Sequence, residues 1–518
     1  MNHLIITREY PPAPSGGGIG TYVSHIAELL AAHGETVHVI GLMWPGAQRP
    51  RETRVGGRLV VHRVPADEPS PEPWTRAVTD PAILKSLHLC ALSGFPWQAA
   101  LLAESLVETA GIDIVEVQEY EAPAYALMLR RAAGLGPARR VPILVHLHTP
   151  TEILYKTNGW EQELRDHADQ IQLEGAAIRA ADALVCPSRF LAGIAESHYG
   201  LERGAVEVIP YPMGDTPILD RDENTWREGT IYYAGRLEPR KGVSEWIDAA
   251  TAVAQDLPAR FTLVGGDTSS SGPNGGSVRA MLLARIPAAL RPRFSFVDAL
   301  PRHQLLAYRA RARIAVVPSR WENFPYTCIE AMASGLPVLA SPCGGMAEMI
   351  EDGRNGWIAA GADARSLEAA LRRALATAPT ALAEMGVAAA ASIRSLCDNG
   401  IVVRRQLELR RRVIANGCRR SGEVSLPLAA AAADSRAGGS RKRNGLPVQG
   451  HTMTALDILR SSPRQQLAVL GRAMANPHYV AQWLVWHGRR VIRRLSRADE
   501  RCSKHDEFSF GVRPDHRG

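Results

Sequence analysis

Residues 230–247 read TIYYAGRLEPRKGVSEWI, and the reading of this stretch decides the fold. Thr230–Ala234 is a short β-branched and aromatic run, which predicts a strand. Gly235 to Gly242 is turn-forming sequence with a proline between its glycines. From Val243 apolar residues return at helical spacing, with Trp246, Ile247 and Ala250 on one face, which predicts a helix to Gln255. A strand, a glycine-bounded turn and a helix make one unit of a parallel α/β sheet. Arg236 and Lys241 lie in the turn, so two cations stand at a helix N-terminus. That arrangement suits a diphosphate: the guanidinium can grip two oxygens at once and the ammonium supplies a compact charge.

Outward from this unit the pattern repeats. Downstream, strands are expected at Phe261–Val264, Phe294–Val297, Ile314–Pro318 and Val338–Ser341, with helices at His303–Arg311 and Thr327–Ser334. Upstream, they are expected at Leu4–Arg8, Val37–Leu42, Leu59–Val64, Ile112–Val117, Ile143–His148, Ala183–Pro187 and Val206–Pro210, with a helix over Gly20–His33. Several are continuous Val/Ile/Leu runs, as parallel strands covered on both faces require. The polar stretch Asp215–Gly229 parts the two series. The expected fold class is therefore α/β, with two Rossmann-like doubly wound domains facing a cleft and a C-terminal helical extension. Residues 1–218 form the first domain and 219–395 the second. Crossover helices follow over 396–418, then a flexible basic linker over 419–450 and a basic helical tail over 451–518.

The totals agree with a two-domain globular chain. Its 518 residues are too many for a single core, and 46% apolar with 22% charged residues is ordinary globular composition. The net charge of +7 permits anionic ligands or an anionic membrane surface without requiring either. The seven cysteines are scattered and none forms a C-x-x-C pair, which points to reduced thiols in a cytoplasmic setting. The start MNHLIITREYPP lacks a basic region followed by an apolar run, so no secretory leader is expected. No stretch approaches the roughly 20 continuous apolar residues needed for a membrane span.

Two further motifs carry chemistry. Ser15-Gly16-Gly17-Gly18-Ile19-Gly20 follows the first strand and precedes the first helix, where backbone amides can approach an anion closely. It is not G-x-G-x-x-G, and Leu42-Met43-Trp44 stand where a dinucleotide site needs an acid. Taken alone, this loop reads equally well as a tight turn. The most specific segment is Trp321 to Pro337, WENFPYTCIEAMASGLP. Glu322 falls in the loop after a strand and Glu330 in the first turns of the next helix. Both are therefore expected near the carboxyl edge of the sheet, where ligands of such folds bind. Carboxylates there accept hydrogen bonds from sugar hydroxyls. The triplet Asp220-Arg221-Asp222 could hold a divalent ion, but it follows no strand and reads as solvated linker.

These motifs together resemble the retaining nucleotide-sugar glycosyltransferases of the B-type fold, family four. The resemblance covers about residues 3–415 and rests on REYPPAPSGGGIGTY, HTP, GRLEPRKG and ENFPYTCIEAMASGLPVLAS, in the family's order. It implies a sugar moved from a nucleoside diphosphate to an acceptor hydroxyl with its anomeric configuration kept. It implies that Arg236 and Lys241 hold the donor diphosphate, with Gly16, Gly17 and Gly18 against the phosphates or the acceptor. Glu330 would accept from the ribose. Glu322 would bind hydroxyls of the donor sugar, aided by the backbone amides of Asn323 and Phe324, and His148 would face that sugar. No metal or other cofactor is expected. Asn323 and Pro325 depart from the pattern, because small residues are common at both positions, and the sugar pocket is open to reshaping there.

In the tail, YVAQWLVWHGRRVIRRLSR (479–497) sets Val480, Trp483, Leu484, Val491 and Leu495 on one helical face and arginines largely on the other. That suits peripheral contact with an anionic membrane on its cytoplasmic face, near a glycan or lipid-linked acceptor, and equally a helix packed on the enzyme or on a partner chain. No nucleic-acid partner is expected. A non-catalytic nucleotide-sugar-binding subunit, or an epimerase or phosphorylase on the same fold, are the rival readings. The intact Glu322, Glu330, Arg236 and Lys241 weigh against the first.

Overall fold

The computed structural model describes residues 1–11, 17–44, 49–64, 94–132, 134, 136–160, 164, 167–268 and 276–418. Gly16, the linker over 419–450 and the tail over 451–518 lie outside the described residues.

The first half builds one sheet from β1 (Asn2–Ile6), β2 (Thr36–Leu42), β3 (Arg51–Arg54), β4 (Leu59–Val64), β5 (Ile114–Gln118), β6 (Ile143–His146), β7 (Ala183–Cys186) and β8 (Val206–Val208). Their order across the sheet is β3-β4-β2-β1-β5-β6-β7-β8, and every pairing except β3 with β4 is parallel. The second half builds another from β9 (Thr230–Ala234), β10 (Phe261–Val264), β11 (Phe294–Val297), β12 (Ala312–Val317), β13 (Val338–Ala340) and β14 (Gly356–Ile358). Its order is β11-β10-β9-β12-β13-β14, all parallel. In both sheets the order reverses beside the first strand of the half. The crevice at such a reversal is where open α/β sheets bind ligands.

The expected α/β architecture is thus present in both halves. Two strands were not foreseen. β3, Arg-Glu-Thr-Arg, is a polar edge strand with no apolar alternation to betray it, and β14 is only three residues long. The expected strand Ile143–His148 ends at His146, so His148 leaves the sheet. Asp220-Arg221-Asp222 is not solvated linker. Arg221 donates to the carbonyls of Ala312 (3.0 Å), Ser334 (3.0 Å) and Arg309 (2.9 Å), and its guanidinium lies 5.4 Å from the Trp226 ring. Asp222 caps the helix Glu223–Glu228 by accepting from Thr225 N at 2.7 Å. Both aspartates are therefore exposed edges of a folded element that is tied to β12.

The chain ends its folded part by returning to the first half. The helix Pro379–Leu396 packs beside the helix Tyr326–Ala333 of the second half. The next helix, Asn399–Asn416, sets Val402, Leu409 and Val413 against Ile114, Leu144 and Val185. Each such buried side chain contributes about 1.5–3 kcal/mol of burial. Arg410 of the same helix is fully buried and pairs with the equally buried Glu116 of β5. Among the described residues no single helix is long and apolar enough to cross a membrane.

Candidate active site

The turn after β9 is pressed onto the end of β12. Gly242 has φ +65°, and a side chain there would run into the carbonyl oxygen of Pro318. Only glycine permits both the left-handed turn and this approach. The approach brings Lys241 onto Glu322, whose Oε1 it holds, while Arg240 reaches Glu322 Oε2 at 3.3 Å. Arg240 also binds Glu238 at 2.7 Å and the carbonyl of Trp321 at 3.1 Å. Ser319 Oγ donates to Glu322 at 3.3 Å. Burial alone would raise the Glu322 pKa, but Lys241 and Arg240 outweigh it and hold the carboxyl below its ordinary value. Glu322 is therefore a buried, ionised acceptor. Arg236 stands apart, half exposed, with Glu238 3.3 Å away. Behind Glu322, Gly344 (φ +106°) allows the backbone of β13's loop to lie directly on it, and Gly345 N donates to Glu322 O at 3.0 Å.

Glu330 sits in the helix Tyr326–Ala333, buried between two arginines of the helix Arg302–Ala310. Arg309 bonds it at 2.7 Å and Arg302 takes the other oxygen. The Arg302 guanidinium lies 5.5 Å from the Tyr326 ring and 3.2 Å from His25 of the first half.

The first half supplies the facing wall. His148 is buried, with Nδ1 bonded to the Tyr211 hydroxyl and Nε2 to Gln118 Oε1. Burial, with His146 stacked 4.5 Å away, lowers its pKa well below the usual histidine range, so the ring is neutral. Both ring nitrogens are taken. What His148 presents to the second half is its carbonyl, which accepts from Asn323 Nδ2 at 2.9 Å. Asn323 Oδ1 in turn accepts from Ser188 Oγ at 2.5 Å. Phe324 is buried edge-on to Tyr211, with ring centres 5.9 Å apart. Gly17 is the residue before the helix Gly18–Ala32, and its Cα faces the carboxylate of Glu9, whereas Gly18 borders open space. Burial raises the Glu9 pKa, against the pull of the Arg236 charge from across the halves.

Below this wall lie two more buried carboxylates. Glu119 accepts from His148 N at 2.6 Å and Thr149 N at 2.5 Å, and burial pushes its pKa up to about 8. Glu174 accepts from Thr151 N (2.9 Å) and Glu121 N (2.8 Å), and burial raises it to about 7. Between them they fix the loops that follow β5 and β6.

The structure therefore brings Lys241, Glu322, Asn323 and His148 into one chain of contacts, with Arg236 at its open side. Glu330 forms a separate cluster with Arg302 and Arg309. Sequence reading missed Arg240, although Glu238 two residues before it was a signal for a buried pair. It also missed Arg302 and Arg309, which stand among several arginines over residues 302–313 with nothing local to set them apart. Glu9, Gln118 and Glu119 carried no pattern that set them apart.

Comparison with known proteins agrees with this geometry. Residues 16–213 match the family model described as Glycosyltransferase Family 4, and residues 228–377 match Glycosyl transferases group 1. The chain is 26% identical over 383 residues to D-inositol 3-phosphate glycosyltransferase of Acidothermus cellulolyticus, covering 71% of this chain and 80% of that protein. It is 26% identical over 404 residues to glycogen synthase of Mycobacterium tuberculosis, covering 72% and 86%. Sucrose-phosphate synthase of Thermosynechococcus elongatus superposes with TM-score 0.63 at 20% identity, covering 80% of this chain and all of that one. Anabaena HepE, solved with UDP-glucose, superposes with TM-score 0.55 at 16% identity over 80% of this chain and all of that one. With both halves matched in order on a fold of two facing Rossmann-like domains, the chain belongs to the glycosyltransferases of family four, group 1.

Proposed function

We propose that this chain moves a hexose from a nucleoside-diphosphate sugar to an acceptor hydroxyl, keeps the anomeric configuration and needs no metal. The observation that carries the reading is the ion pair of Lys241 with buried, ionised Glu322, with half-exposed Arg236 at the mouth of the same turn. In the reaction the bond from the anomeric carbon to the diphosphate oxygen breaks and a bond from the acceptor oxygen forms on the same face. The acceptor proton passes to the leaving phosphate oxygen, so the products are a glycoside and a nucleoside diphosphate. Negative charge grows on the diphosphate as the bond breaks. Arg236 and Lys241 stabilise that charge in a preorganised position, the task a divalent ion would otherwise perform. Glu322 accepts hydroxyls of the donor sugar, and Glu330 accepts the ribose as Arg302 yields to it. His148 serves through its neutral ring as part of the wall to the sugar, while its carbonyl is held by Asn323. Gly17 and Gly18 lie on the phosphate or acceptor side.

We place the activity in glycolipid or surface polysaccharide synthesis on the inner face of the membrane, reached through residues 451–518. The test of the reaction is a panel of nucleotide sugars with chelator present, with the product's anomeric configuration read by NMR. Transfer with retained configuration is expected. Inversion, or transfer that returns only with magnesium or manganese, overturns it. Vesicle sedimentation of the full chain against a truncation after residue 418 tests the location. Equal binding to anionic vesicles removes the tail as anchor.

A further inference from the structure

The turn after β9 takes one of its supports from the other half of the molecule. Over residues 239–242 each backbone N–H needs a partner. Pro239 has none to place. Lys241 N and Gly242 N donate close by, to Glu238 O at 3.0 Å and Pro239 O at 2.9 Å. Arg240 N is left, and a donor in the first turn of a helix has no partner within it. The side chain placed to cap it belongs to Glu238, but that carboxylate is turned to the guanidinium groups of Arg240 and Arg236. Arg240 N is met instead by Asn158 Oδ1 at 2.9 Å, from the first half, 82 positions earlier in the chain.

Asn158 can supply that oxygen because its own helix does not need it. It is the last residue of the helix Thr151–Asn158. That helix is closed by Gly159 N and Trp160 N, which donate to the carbonyls of Lys156 and Tyr155. Asn158 Nδ2 donates back to Leu154 O at 3.2 Å, which fixes the amide with its oxygen toward the turn. The residue is only 3% exposed. At its other end the helix begins just after His148-Thr149-Pro150, where Thr151 N and its hydroxyl bind buried Glu174. The helix is thus anchored in the first half at its start and offers an acceptor to the second half at its end.

The consequence falls on the charges around Glu322. Arg240 is held at both ends of its backbone, by Asn158 at its nitrogen and by Arg320 N, 2.8 Å from its carbonyl oxygen. From that fixed position its guanidinium reaches Glu322 and the carbonyl of Trp321, and the next residue, Lys241, pairs with Glu322. A tilt of the turn would shift both cations at once, and preorganised charges lose their effect when they must reorganise.

Resting on the donor site proposed above, we propose that Asn158 is a positioning residue for transfer: it caps the turn after β9 across the halves and aligns Arg240 and Lys241 on Glu322. Buried and with both polar atoms of its amide engaged, it acts through the turn and not on the donor. One helix then ties the His148 loop to the cations of the donor side.

The experiment uses the full chain. It measures calorimetric affinity for UDP, ADP and GDP, kcat and acceptor KM with a donor that is turned over, and amide exchange over residues 239–242. Asn158→Ala should weaken binding of the preferred nucleoside diphosphate about five-fold, the usual effect of one lost hydrogen bond, and speed exchange in the turn. It should lower kcat about ten-fold, because the leaving charge is less well met, and leave the acceptor KM unchanged. Asn158→Asp keeps an acceptor oxygen and should recover most of both losses. Asn158→Leu keeps the volume without the acceptor, carries the same expectations as the alanine variant, and is read alone if that variant does not fold. In a Lys241→Ala background Asn158→Ala should weaken nucleotide binding little further, since both act through one group. A merely structural role would lower the melting temperature and leave affinity and kcat of the folded protein as they are, and that result overturns the inference. So does a full further loss in the Lys241→Ala background, or an aspartate variant as impaired as the alanine one. Wild type that binds none of the three nucleotides, or Lys241→Ala that binds as the wild type does, overturns the donor site itself.

Discussion

Asn323 of the second half accepts a hydrogen bond from Ser188 of the first at 2.5 Å, and its amide nitrogen donates to the carbonyl of His148 at 2.9 Å. One side chain thus joins the two halves next to Glu322. A second tie lies close by: Glu348 accepts from Arg189 N (3.1 Å) and Phe190 N (2.9 Å), at the start of the helix Arg189–Tyr199. Asn323→Ala removes the acceptor of the buried Ser188 hydroxyl and one of the two side-chain donors to the His148 carbonyl, a cost of about 1–3 kcal/mol. Lower stability to urea and a higher KM for donor are expected, with faster amide exchange over residues 148–151. Unchanged exchange there would show that the bridge does not order the loop.

The buried pair of Arg410 and Glu116 holds the returning helix to β5, and Gln406 and His146 lie beside it. Removing one partner leaves the other charged in the interior, which costs about 3–5 kcal/mol. Arg410→Met should therefore lower the melting temperature sharply. The double variant Arg410→Met, Glu116→Gln should recover part of that loss. A double variant less stable than the single one would contradict a burial cost dominated by the unpaired carboxylate.

Glu119 makes stability depend on pH. Its pKa in the fold, about 8, lies above the ordinary value of 4.5. A group raised in the fold contributes fully below its unfolded pKa, and the contribution is lost as pH rises through the folded one. Between about pH 5 and pH 8 the wild type should lose stability from this site, and Glu119→Gln should not. The melting temperature of the variant minus that of the wild type should thus rise steadily across that window. A flat difference means that Glu119 titrates as in the unfolded chain.

Glu322→Gln keeps the shape of the side chain and removes the charge that Lys241 and Arg240 share. Transfer should fall by about 10²–10³-fold, the usual effect of deleting one preorganised electrostatic contact in a dry site. Circular dichroism should show the fold intact. Activity within a few-fold of the wild type contradicts the role given to this carboxylate.

Much of this architecture was legible in the sequence because parallel strands announce themselves. Thr230–Ala234, Phe261–Val264 and Phe294–Val297 fall where their Val, Ile and aromatic runs predict. The polar edge strand Arg51–Arg54 was not legible, because its place comes from pairing with β4 and not from its own side chains. The same distinction holds at the site. Lys241 and Glu322 stand in motifs with a recognisable order. Their direct pairing depends on Gly242 lying against Pro318, a contact between segments some 75 residues apart in sequence that no local pattern encodes. Asn323 stands out in the sequence as a departure that leaves the sugar pocket open to reshaping, and its bonds to Ser188 and His148 across the two halves were not legible there. His148 was expected to face the sugar; what no local pattern encodes is that Tyr211 and Gln118 take both of its ring nitrogens.

The most direct test of the account is calorimetric binding of a nucleoside diphosphate to the wild type, Arg236→Ala and Lys241→Ala, with chelator present. Each lost charge-assisted contact should cost about 1.5–3 kcal/mol, a weakening of roughly ten-fold or more. The account predicts tight binding by the wild type and that loss in both variants. Equal affinity in all three proteins, or binding that appears only with a divalent metal, would contradict it.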